Sequence, residues 1–275
     1  MKIVSFHPIF NENAHILSEH LETEYLNALE PIEDEIYLIY GAHEKSYELL
    51  QMQKKTKFKI IIMNSESYES NFFKNKYYLE LMKNNIVLDY NNNDKQQYMF
   101  DCHKIKVLGF HWFDFKINKS SVNKSTTQRG ETGLHRDIDI LFYGTPSQKR
   151  LDIYKKLVSD FPDLNIMFIH KCFNNDLDDF IKRSRLVLNI PYYEHDILET
   201  HRINKALSYG CDVVSLTKQN YDYVDYIDFT DDITEYVKSY IEKPQQKKNY
   251  KELQHKNNDV IIPQIKFIVK YYNLL

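Results

Sequence analysis

The segment GTPSQKR, which begins at Gly144, combines a glycine with two cations directly after an apolar run. A capped helix start explains Thr145 as the N-cap, Pro146 at the first helical position and Gln148 in a capping box. It does not explain Lys149 and Arg150, because the helix dipole disfavours cations in the first turn. A glycine turn, free amides and two cations together predict a phosphate or pyrophosphate site, with a solvated charge pair as the alternative.

A second group of charged residues lies within residues 186–216, where an apolar strand-like run leads through a polar loop into an amphipathic helix and another strand. Ligands of parallel sheets bind beyond the carboxyl ends of the strands, which is where this helix begins. The carboxylate of Glu199 can accept ribose hydroxyls, and the guanidinium of Arg202 can hold a phosphate through two hydrogen bonds. A surface ion pair one turn apart is the alternative. Glu194 and His195 are weaker candidates in the same loop.

The elements that position these residues alternate between strand and helix periods, which indicates an α/β fold with mostly parallel strands. In the first half, the pattern predicts strands at 2–6, 35–40, 58–63, 86–88 and 105–108, and helices at 13–29, 43–54, 70–83 and 94–101. In the second half, it predicts strands at 138–143, 165–170, 186–190, 212–216 and 223–229. The helices expected there are 147–161, 175–184, one within 197–207, 233–242 and 260–272.

This alternation predicts two Rossmann-like domains with a cleft between them. The amino-terminal domain covers residues 1–115, and a linker or mobile loop without apolar periodicity covers 116–136. The second domain covers 137–259. A terminal helix, 260–275, is expected to pack back toward the first domain because its apolar side chains need a partner. These are Ile261, Ile265, Ile268 and Val269.

The composition limits the classes of function. The chain has 275 residues, 43% of them hydrophobic, and a net charge of −3, which argues against a dedicated nucleic-acid binder but leaves a local basic cleft open. Its 3 cysteines have no metal or redox spacing, and no stretch suits a signal peptide or a bilayer span. We therefore expect a reduced cytoplasmic protein without stable membrane insertion, in the host cytoplasm if the protein is viral.

Several motifs resemble the donor half of GT-B glycosyltransferases. They are YGT followed by KR from residue 143, SRLVLNIPYY from residue 184, and ILE-x-x-R-x-x-x-ALS-x-GC-x-VVS from residue 197. Upstream, NSES at 64–67, YLEL at 78–81, VLDYN at 87–91 and VLGF at 107–110 are similar to the amino half. The likeness is strongest to a bacterial and large-virus branch of the glycosyltransferase family 1/family 4-like group, and it covers most of the chain.

The resemblance implies a GT-B-like α/β fold, with two Rossmann-like domains facing a central cleft. It also implies a UDP- or GDP-linked sugar as donor substrate, a glycan or other hydroxyl acceptor, no cofactor and no obligatory metal. The donor-binding residues that it implies are Gly144, Thr145, Lys149, Arg150, Tyr193, His195, Ile197, Leu198, Glu199 and Arg202. The chain departs from the family in one respect: retaining members carry two glutamates eight positions apart, and the second position is Arg202 or Lys205 here. The stereochemistry therefore stays open.

The candidate catalytic residues are His7, Glu66 and Glu194. His7 follows the first strand, where an imidazole near its ordinary pKa can deprotonate an acceptor hydroxyl, although a structural histidine is the alternative. Glu66 follows the third predicted strand and is similarly placed. Two acidic groups look structural rather than metal-binding: Asp137 and Asp139 lie at the entry of a strand, and Asp176, Asp178 and Asp179 form a solvated helix start.

We therefore predict a metal-independent glycosyltransferase that moves a sugar from a nucleotide-diphosphate donor to a hydroxyl. The rival is a catalytically inactive scaffold of the same fold that binds a nucleotide or glycan. The missing acidic pair favours this rival, as does the lack of a Gly-Gly loop near the amino terminus. A DNA-modifying glycosyltransferase is a third and weaker hypothesis.

Overall fold

The computed structural model describes residues 1–90, 94–109, 136–193, 198–220, 222–242 and 250–274. The chain divides into two compact units, which we describe separately. The first comprises Met1–Phe113 with Lys256–Leu275, and the second comprises Asp114–His255. The predicted linker lies outside the described residues except for Arg136, whose guanidinium donates to the carbonyls of Ser184, Tyr209 and Gly210 in the second unit. The predicted domain boundaries stay a prediction.

The first unit contains a six-stranded sheet of parallel strands in the order β2-β1-β3-β4-β5-β6. The strands are β1 (Lys2–Ser5), β2 (Glu24–Leu26), β3 (Ile36–Tyr40), β4 (Lys59–Asn64), β5 (Ile86–Asp89) and β6 (Val107–Gly109). Every residue of β3 is buried, which fits its central place and its continuous apolar sequence. Because β1, β3 and β4 are adjacent and parallel, their carboxyl ends lie side by side.

Helices and short 3-10 turns connect these strands. They are a turn at Pro8–Phe10, α1 (Asn11–Leu21), a turn at Ala42–Lys45, α2 (Ser46–Lys55), a turn at Asn71–Lys74, α3 (Lys76–Lys83) and α4 (Asp94–Cys102). The helix predicted at 13–29 is too long. It ends at Leu21 because Glu22 adopts a left-handed conformation with φ of 53°, and the chain then forms the edge strand β2.

The second unit contains a five-stranded parallel sheet in the order β11-β10-β9-β7-β8. Its strands are β7 (Ile138–Tyr143), β8 (Ile166–Ile169), β9 (Ser184–Asn189), β10 (Asp212–Ser215) and β11 (Asp228–Phe229). The strand predicted at 223–229 is thus reduced to two residues. Strand β7 pairs directly with β9, so the turn after Tyr143 and the turn after Asn189 leave the sheet next to each other.

The helices of the second unit are α5 (Gln148–Asp160), α6 (Asn174–Lys182), α7 (Thr200–Ser208) and α8 (Ile233–Glu242). Helix α5 starts later than predicted, because Ser147 and not Thr145 is its N-cap: the Ser147 hydroxyl accepts from the backbone N–H of Arg150 at 3.3 Å. Apolar clusters pack on both faces of the sheet, as the βα alternation requires.

The last helix, α9 (Tyr250–Leu274), begins ten residues before the predicted start at 260. Its first turn belongs to the second unit, where Tyr250 and Leu253 join the apolar core. From Lys256 onward it belongs to the first unit. There the Tyr272 hydroxyl accepts from the N–H of Ile86 at 3.0 Å and donates to the carbonyl of Ile60 at 3.1 Å.

Helix length and hydropathy give no candidate membrane span in the part of the chain that the structure describes.

A buried ion pair fixes helix α7 against helix α6. The Lys205 ammonium lies 2.7 Å from Oδ1 of Asp178, whose Oδ2 accepts from the Tyr209 hydroxyl at 2.8 Å. Asp178 is buried, so the prediction that it forms part of a solvated helix start is wrong, although its neighbours Asp176 and Asp179 are exposed. The pair matters for the site because α7 begins directly after Glu199.

We predict that Lys205→Ala lowers the free energy of unfolding by about 3 kcal/mol or more, because the substitution leaves the Asp178 carboxylate buried without its cation. Chemical denaturation measures this value. Lys156→Ala is the matched control: it removes an exposed pair with Asp160 on helix α5 and should cost less than about 1 kcal/mol. Equal losses in the two variants would show that the Lys205 pair does not hold α7.

Candidate functional site

The carboxyl ends of β7 and β9 bring together Gly144, Arg150, Glu199 and Arg202. Gly144 directly follows β7, and Arg150 lies in the first turn of α5. Glu199 immediately precedes α7, and Arg202 lies in its first turn. All four were predicted as ligand-binding residues, and the structure places them in one cluster. We call these four residues the arginine cluster.

Arg150 points inward and binds protein groups with all parts of its guanidinium. Its side chain is 2% exposed. Nε and Nη2 donate to the carbonyl of Ile190 at 2.9 and 2.6 Å, and Nη1 donates to the carbonyl of Thr145 at 2.9 Å. Burial lowers its pKa to about 10, while the nearby Glu199 carboxylate acts in the opposite direction. Arg150 therefore ties the turn after β7 to the turn after β9.

Glu199 joins the two arginines. Its Oε1 accepts from Nη2 of Arg150 at 2.9 Å, and its Oε2 forms a short ion pair with Nη1 of Arg202. Glu199 takes the N-cap position of α7 by backbone geometry, but its side chain makes no capping hydrogen bond. The carboxylate is thus turned away from the helix start and toward the two guanidinium groups. This ion pair is more extensive than a surface pair at helical spacing.

Arg202 is the more accessible of the two arginines, with a side chain 12% exposed. Nη1 donates to Oδ1 of Asn189 at 3.4 Å, and the guanidinium carbon lies 5.3 Å from the centre of the Tyr143 ring. Among the described residues, no group accepts a hydrogen bond from its buried Nε. The arginine cluster contains two cations and one carboxylate, so it carries a net charge of +1 next to an unused donor. Such a group attracts an anion.

Gly144 allows the two guanidinium groups to approach the backbone. Its φ of 133° lies in a region that glycine adopts readily. A Cβ atom at this position would lie 2.7 Å from Nη2 of Arg202 and 3.3 Å from Nη1 of Arg150. The backbone conformation therefore favours glycine here, and a Cβ atom would force the Arg202 guanidinium to shift.

The other predicted donor-binding residues lie at different depths. Thr145 and Lys149 are exposed, whereas Leu198 is buried in the apolar core of the second unit. Tyr193 is half-buried and contacts Tyr192 ring to ring, at 5.0 Å between centroids. The remaining predictions fall outside the described residues: Glu194, His195 and Ile197. Contact between any of these residues and a donor stays a prediction.

A second group of ionisable side chains lies at the carboxyl ends of β1, β3 and β4 in the first unit. His7 follows β1, His43 and Glu44 lie in the turn after β3, and Glu66 follows β4. We call these four residues the acid–base cluster. His7 and Glu66 were predicted as catalytic candidates, whereas His43 and Glu44 were missed. The position directly after a predicted strand, which pointed to His7 and Glu66, could have identified them too.

His43 is the buried centre of the acid–base cluster. Its Nε2 lies 3.6 Å from Oε1 of both Glu44 and Glu66, and its ring packs 4.3 Å from that of Phe72. Burial lowers the pKa of His43 to about 4, and His7 adds to this lowering. The imidazole is therefore neutral at pH 7, because the two carboxylates lie beyond hydrogen-bonding distance and do not outweigh its loss of hydration.

The pKa of Glu66 is raised, whereas that of His43 is lowered. Burial raises the pKa of its carboxyl to about 7, and the neighbouring Glu44 contributes, while hydrogen bonds from Ser70 and Ser65 act in the lowering direction. Burial also lowers the pKa of His7, whose Nδ1 accepts from the N–H of Ile9 at 3.3 Å. The acid–base cluster thus contains a carboxyl group that changes its protonation near neutral pH.

A buried polar network fixes the loop that carries Glu66. Asn64 donates to the carbonyl of Glu66 at 3.0 Å and accepts from the hydroxyl of Tyr78 at 2.6 Å. Gln96 donates to the same Glu66 carbonyl at 3.1 Å and to the carboxylate of Asp89 at 2.5 Å. Because these polar groups are buried and satisfied by one another, they hold the loop in one conformation.

The acidic pair at the entry of β7 binds protein partners. Asp137 receives two hydrogen bonds from the guanidinium of Arg183, and Asp139 accepts from the N–H of Asn165 at 2.9 Å. Within the described ranges, no three histidine, cysteine, aspartate or glutamate side chains are grouped so that they could hold a metal ion.

No protein-family model and no curated protein sequence matches this chain. Sucrose-phosphate synthase from Thermosynechococcus elongatus has a similar solved structure, with a TM-score of 0.54 and 11% identity, covering 86% of this chain and 73% of that one. The chain has a GT-B-like fold. AviGT4, a glycosyltransferase involved in avilamycin A biosynthesis, matches at a TM-score of 0.40 and 8% identity, over 99% of this chain and 97% of that one.

The GT-B-like fold confirms the predicted α/β class with two Rossmann-like sheets. Identities this low show the fold alone. The sequence departed from the expected family pattern at Lys205, and the structure gives a physical reason for a cation there. Lys205 points toward α6 and neutralises Asp178, away from the arginine cluster.

We predict that Gly144→Ala lowers the free energy of unfolding by about 2 kcal/mol and displaces the Arg202 guanidinium, since the φ angle strains alanine and a Cβ atom would lie too close to that guanidinium. Denaturation measures the stability, and a crystal structure of the variant locates Arg202. Gly210→Ala is the control, because its φ of 70° costs about 1 kcal/mol without involving the arginine cluster. An unmoved Arg202 would contradict the proposed role of Gly144.

We predict that Glu66→Gln removes a pH-dependent loss of stability. The raised pKa means that folded Glu66 binds more protons than unfolded Glu66 between pH 4.5 and about 7, so the folding stability due to this group falls as the pH rises through that window. The unfolding free energy of Glu66→Gln minus that of the wild type should therefore increase from pH 4.5 to 7 and then level off. A difference that does not change with pH would show that burial does not perturb Glu66.

Proposed function

We propose that this protein is a glycosyltransferase that uses a nucleotide-diphosphate sugar. The observation that carries the proposal is the arginine cluster: two guanidinium groups lie beside one carboxylate at the carboxyl ends of β7 and β9. Ligands of parallel sheets bind at this edge. The GT-B-like fold agrees with sugar transfer, and the sequence motifs favour the family 1/family 4-like group.

The diphosphate of the donor would lie next to Arg202. A diphosphate offers several anionic oxygens, and the net charge of +1 in the cluster and the unused Nε of Arg202 complement them. The N-terminus of α7 adds the positive end of a helix dipole at the same place. Gly144 would contribute by letting the Arg202 guanidinium lie close to the backbone, and the exposed Lys149 and Thr145 would supply further donors. Glu199 would accept a ribose hydroxyl.

These groups would also favour the reaction. When the sugar leaves the donor, negative charge grows on the diphosphate oxygens, and fixed guanidinium groups stabilise that charge more strongly in a buried site than in water. We propose that this stabilisation makes a metal ion unnecessary. His7, Glu66 and Glu194 remain the candidates for the base that accepts the acceptor's proton. We also propose that the nucleobase of the donor is uracil or guanine. A cytoplasmic location is part of the same proposal.

One observation favours a second function. The whole guanidinium of Arg150 is engaged with protein groups, and the family's second acidic position holds no carboxylate that faces the arginine cluster. A protein that binds a nucleotide and transfers nothing would keep this arrangement. Turnover separates the two functions.

We predict that Arg202→Ala weakens binding of UDP or GDP by about tenfold or more, because the diphosphate loses the guanidinium that lies beside Gly144. Isothermal titration calorimetry measures the affinity, and release of labelled sugar from UDP-glucose and GDP-mannose measures the turnover. Arg185→Ala is the matched control, since it removes an exposed guanidinium that pairs with Asp139 at the entry end of the same sheet.

The two measurements have separate meanings. If Arg202→Ala weakens nucleotide binding, Arg185→Ala preserves it and sugar is released, the glycosyltransferase is supported. Nucleotide binding with the same pattern but without turnover supports the second function. Binding that does not change in Arg202→Ala would overturn both.

A further inference from the structure

The acid–base cluster combines carboxyl groups with imidazoles. The groups that face one another are the carboxyls of Glu44 and Glu66 and the imidazoles of His7 and His43. Asp89 and Tyr78 lie behind them and act on the same loop. In the described part of the first unit, no lysine or arginine forms an ion pair with Glu44 or Glu66. The cluster is therefore neutral to acidic.

We propose that this cluster binds a hydroxyl acceptor that carries no phosphate or carboxylate, that Glu66 takes the proton of its reacting hydroxyl, and that His43 is a positioning residue for Glu66. The inference rests on the proposed glycosyltransferase function and deepens it by assigning the chemical class of the acceptor. A sugar phosphate would place its negative charge against Glu44 and Glu66 without a cation to offset it, whereas a neutral polyol would not.

The proposed transfer step begins at the acceptor hydroxyl. The acceptor's O–H bond breaks and its proton moves to the ionised carboxylate of Glu66. The acceptor oxygen forms a bond to the anomeric carbon of the donor sugar. The bond from that carbon to the diphosphate breaks, and its electron pair leaves with the diphosphate. Glu66 then returns the proton to water.

Geometry and acidity both suit Glu66 for this role. Its side chain is 19% exposed, so a ligand can reach it, while the network of Asn64 and Gln96 fixes its backbone. A base works best when its pKa lies near the working pH, and burial brings the pKa of Glu66 to about 7. His43 stays neutral and packs between Phe72 and the carboxyl, so it limits the positions that the Glu66 side chain can take.

The first test uses glucose and glucose 6-phosphate as a matched pair of probes, with saturation-transfer NMR on the full chain in the presence of UDP. We expect glucose to bind and glucose 6-phosphate to bind about tenfold more weakly or not at all. Glu44→Gln and Glu66→Gln should each bring the affinity for glucose 6-phosphate closer to the affinity for glucose, since each removes a negative charge. Glu48→Gln is the control: it removes an exposed carboxylate that pairs with Lys45. Stronger binding of the phosphate, or binding of neither sugar, would overturn the inference.

The second test is the pH dependence of sugar transfer. We expect the rate to rise as the pH passes about 7, and Glu66→Gln to lower it on the order of a hundredfold and to abolish the rise. His43→Gln should shift the midpoint of the profile, which a merely structural role would leave unchanged. An unshifted midpoint, or a Glu66→Gln variant with the wild-type profile, would overturn the assignment.

The failures of the two proposals are distinguishable. If the protein binds UDP and transfers sugar to glucose 6-phosphate but not to glucose, the glycosyltransferase proposal is supported. The proposal of an uncharged acceptor is then wrong. The protein could instead bind glucose through Glu66 but neither bind UDP nor transfer sugar. That result would overturn the glycosyltransferase proposal, while a binding site for hydroxyl compounds at Glu66 would remain supported.

Discussion

The crowding of two guanidinium groups over Gly144 is the constraint on which the second unit depends. Strand β7 pairs with β9, so the turns that follow them meet, and Arg150 joins these turns through the carbonyls of Thr145 and Ile190. Like charges so close together repel, and the carboxylate of Glu199 offsets this repulsion by contacting both. Glu199 directly precedes helix α7, and the pair of Lys205 with Asp178 holds this helix against α6.

The two units differ in the charge at the corresponding edges of their sheets. The edge of the second unit carries guanidinium groups in excess, and the edge of the first carries carboxyls and neutral imidazoles. A transfer reaction from an anionic donor to an uncharged acceptor needs this difference, because one site must stabilise a leaving diphosphate and the other must receive a proton. The same α/β architecture therefore presents two different charge environments through the residues that follow its strands.

Much of the fold could be predicted from the sequence, because apolar runs and amphipathic periods report directly on buried strands and helices. Gly144, Glu199 and Arg202 could also be predicted, since they follow or begin such elements. The inward direction of Arg150 could not be predicted, because it depends on hydrogen bonds to the Ile190 carbonyl and to Glu199, which lie 40 or more residues away in sequence. The pairing of Lys205 with Asp178 could not be predicted either, because it joins residues far apart in sequence. His43 and Glu44 could have been predicted by the same rule as His7 and Glu66, since they follow a predicted strand, but the burial of His43 could not.

The most direct test of the account is a crystal structure of the protein with bound UDP. The account predicts that a diphosphate oxygen lies within hydrogen-bonding distance of the Arg202 guanidinium, beside the backbone of Gly144, with Arg150 still bound to the carbonyl of Ile190. A diphosphate bound away from β7 and β9, with the ion pair of Arg202 and Glu199 unchanged, would contradict it.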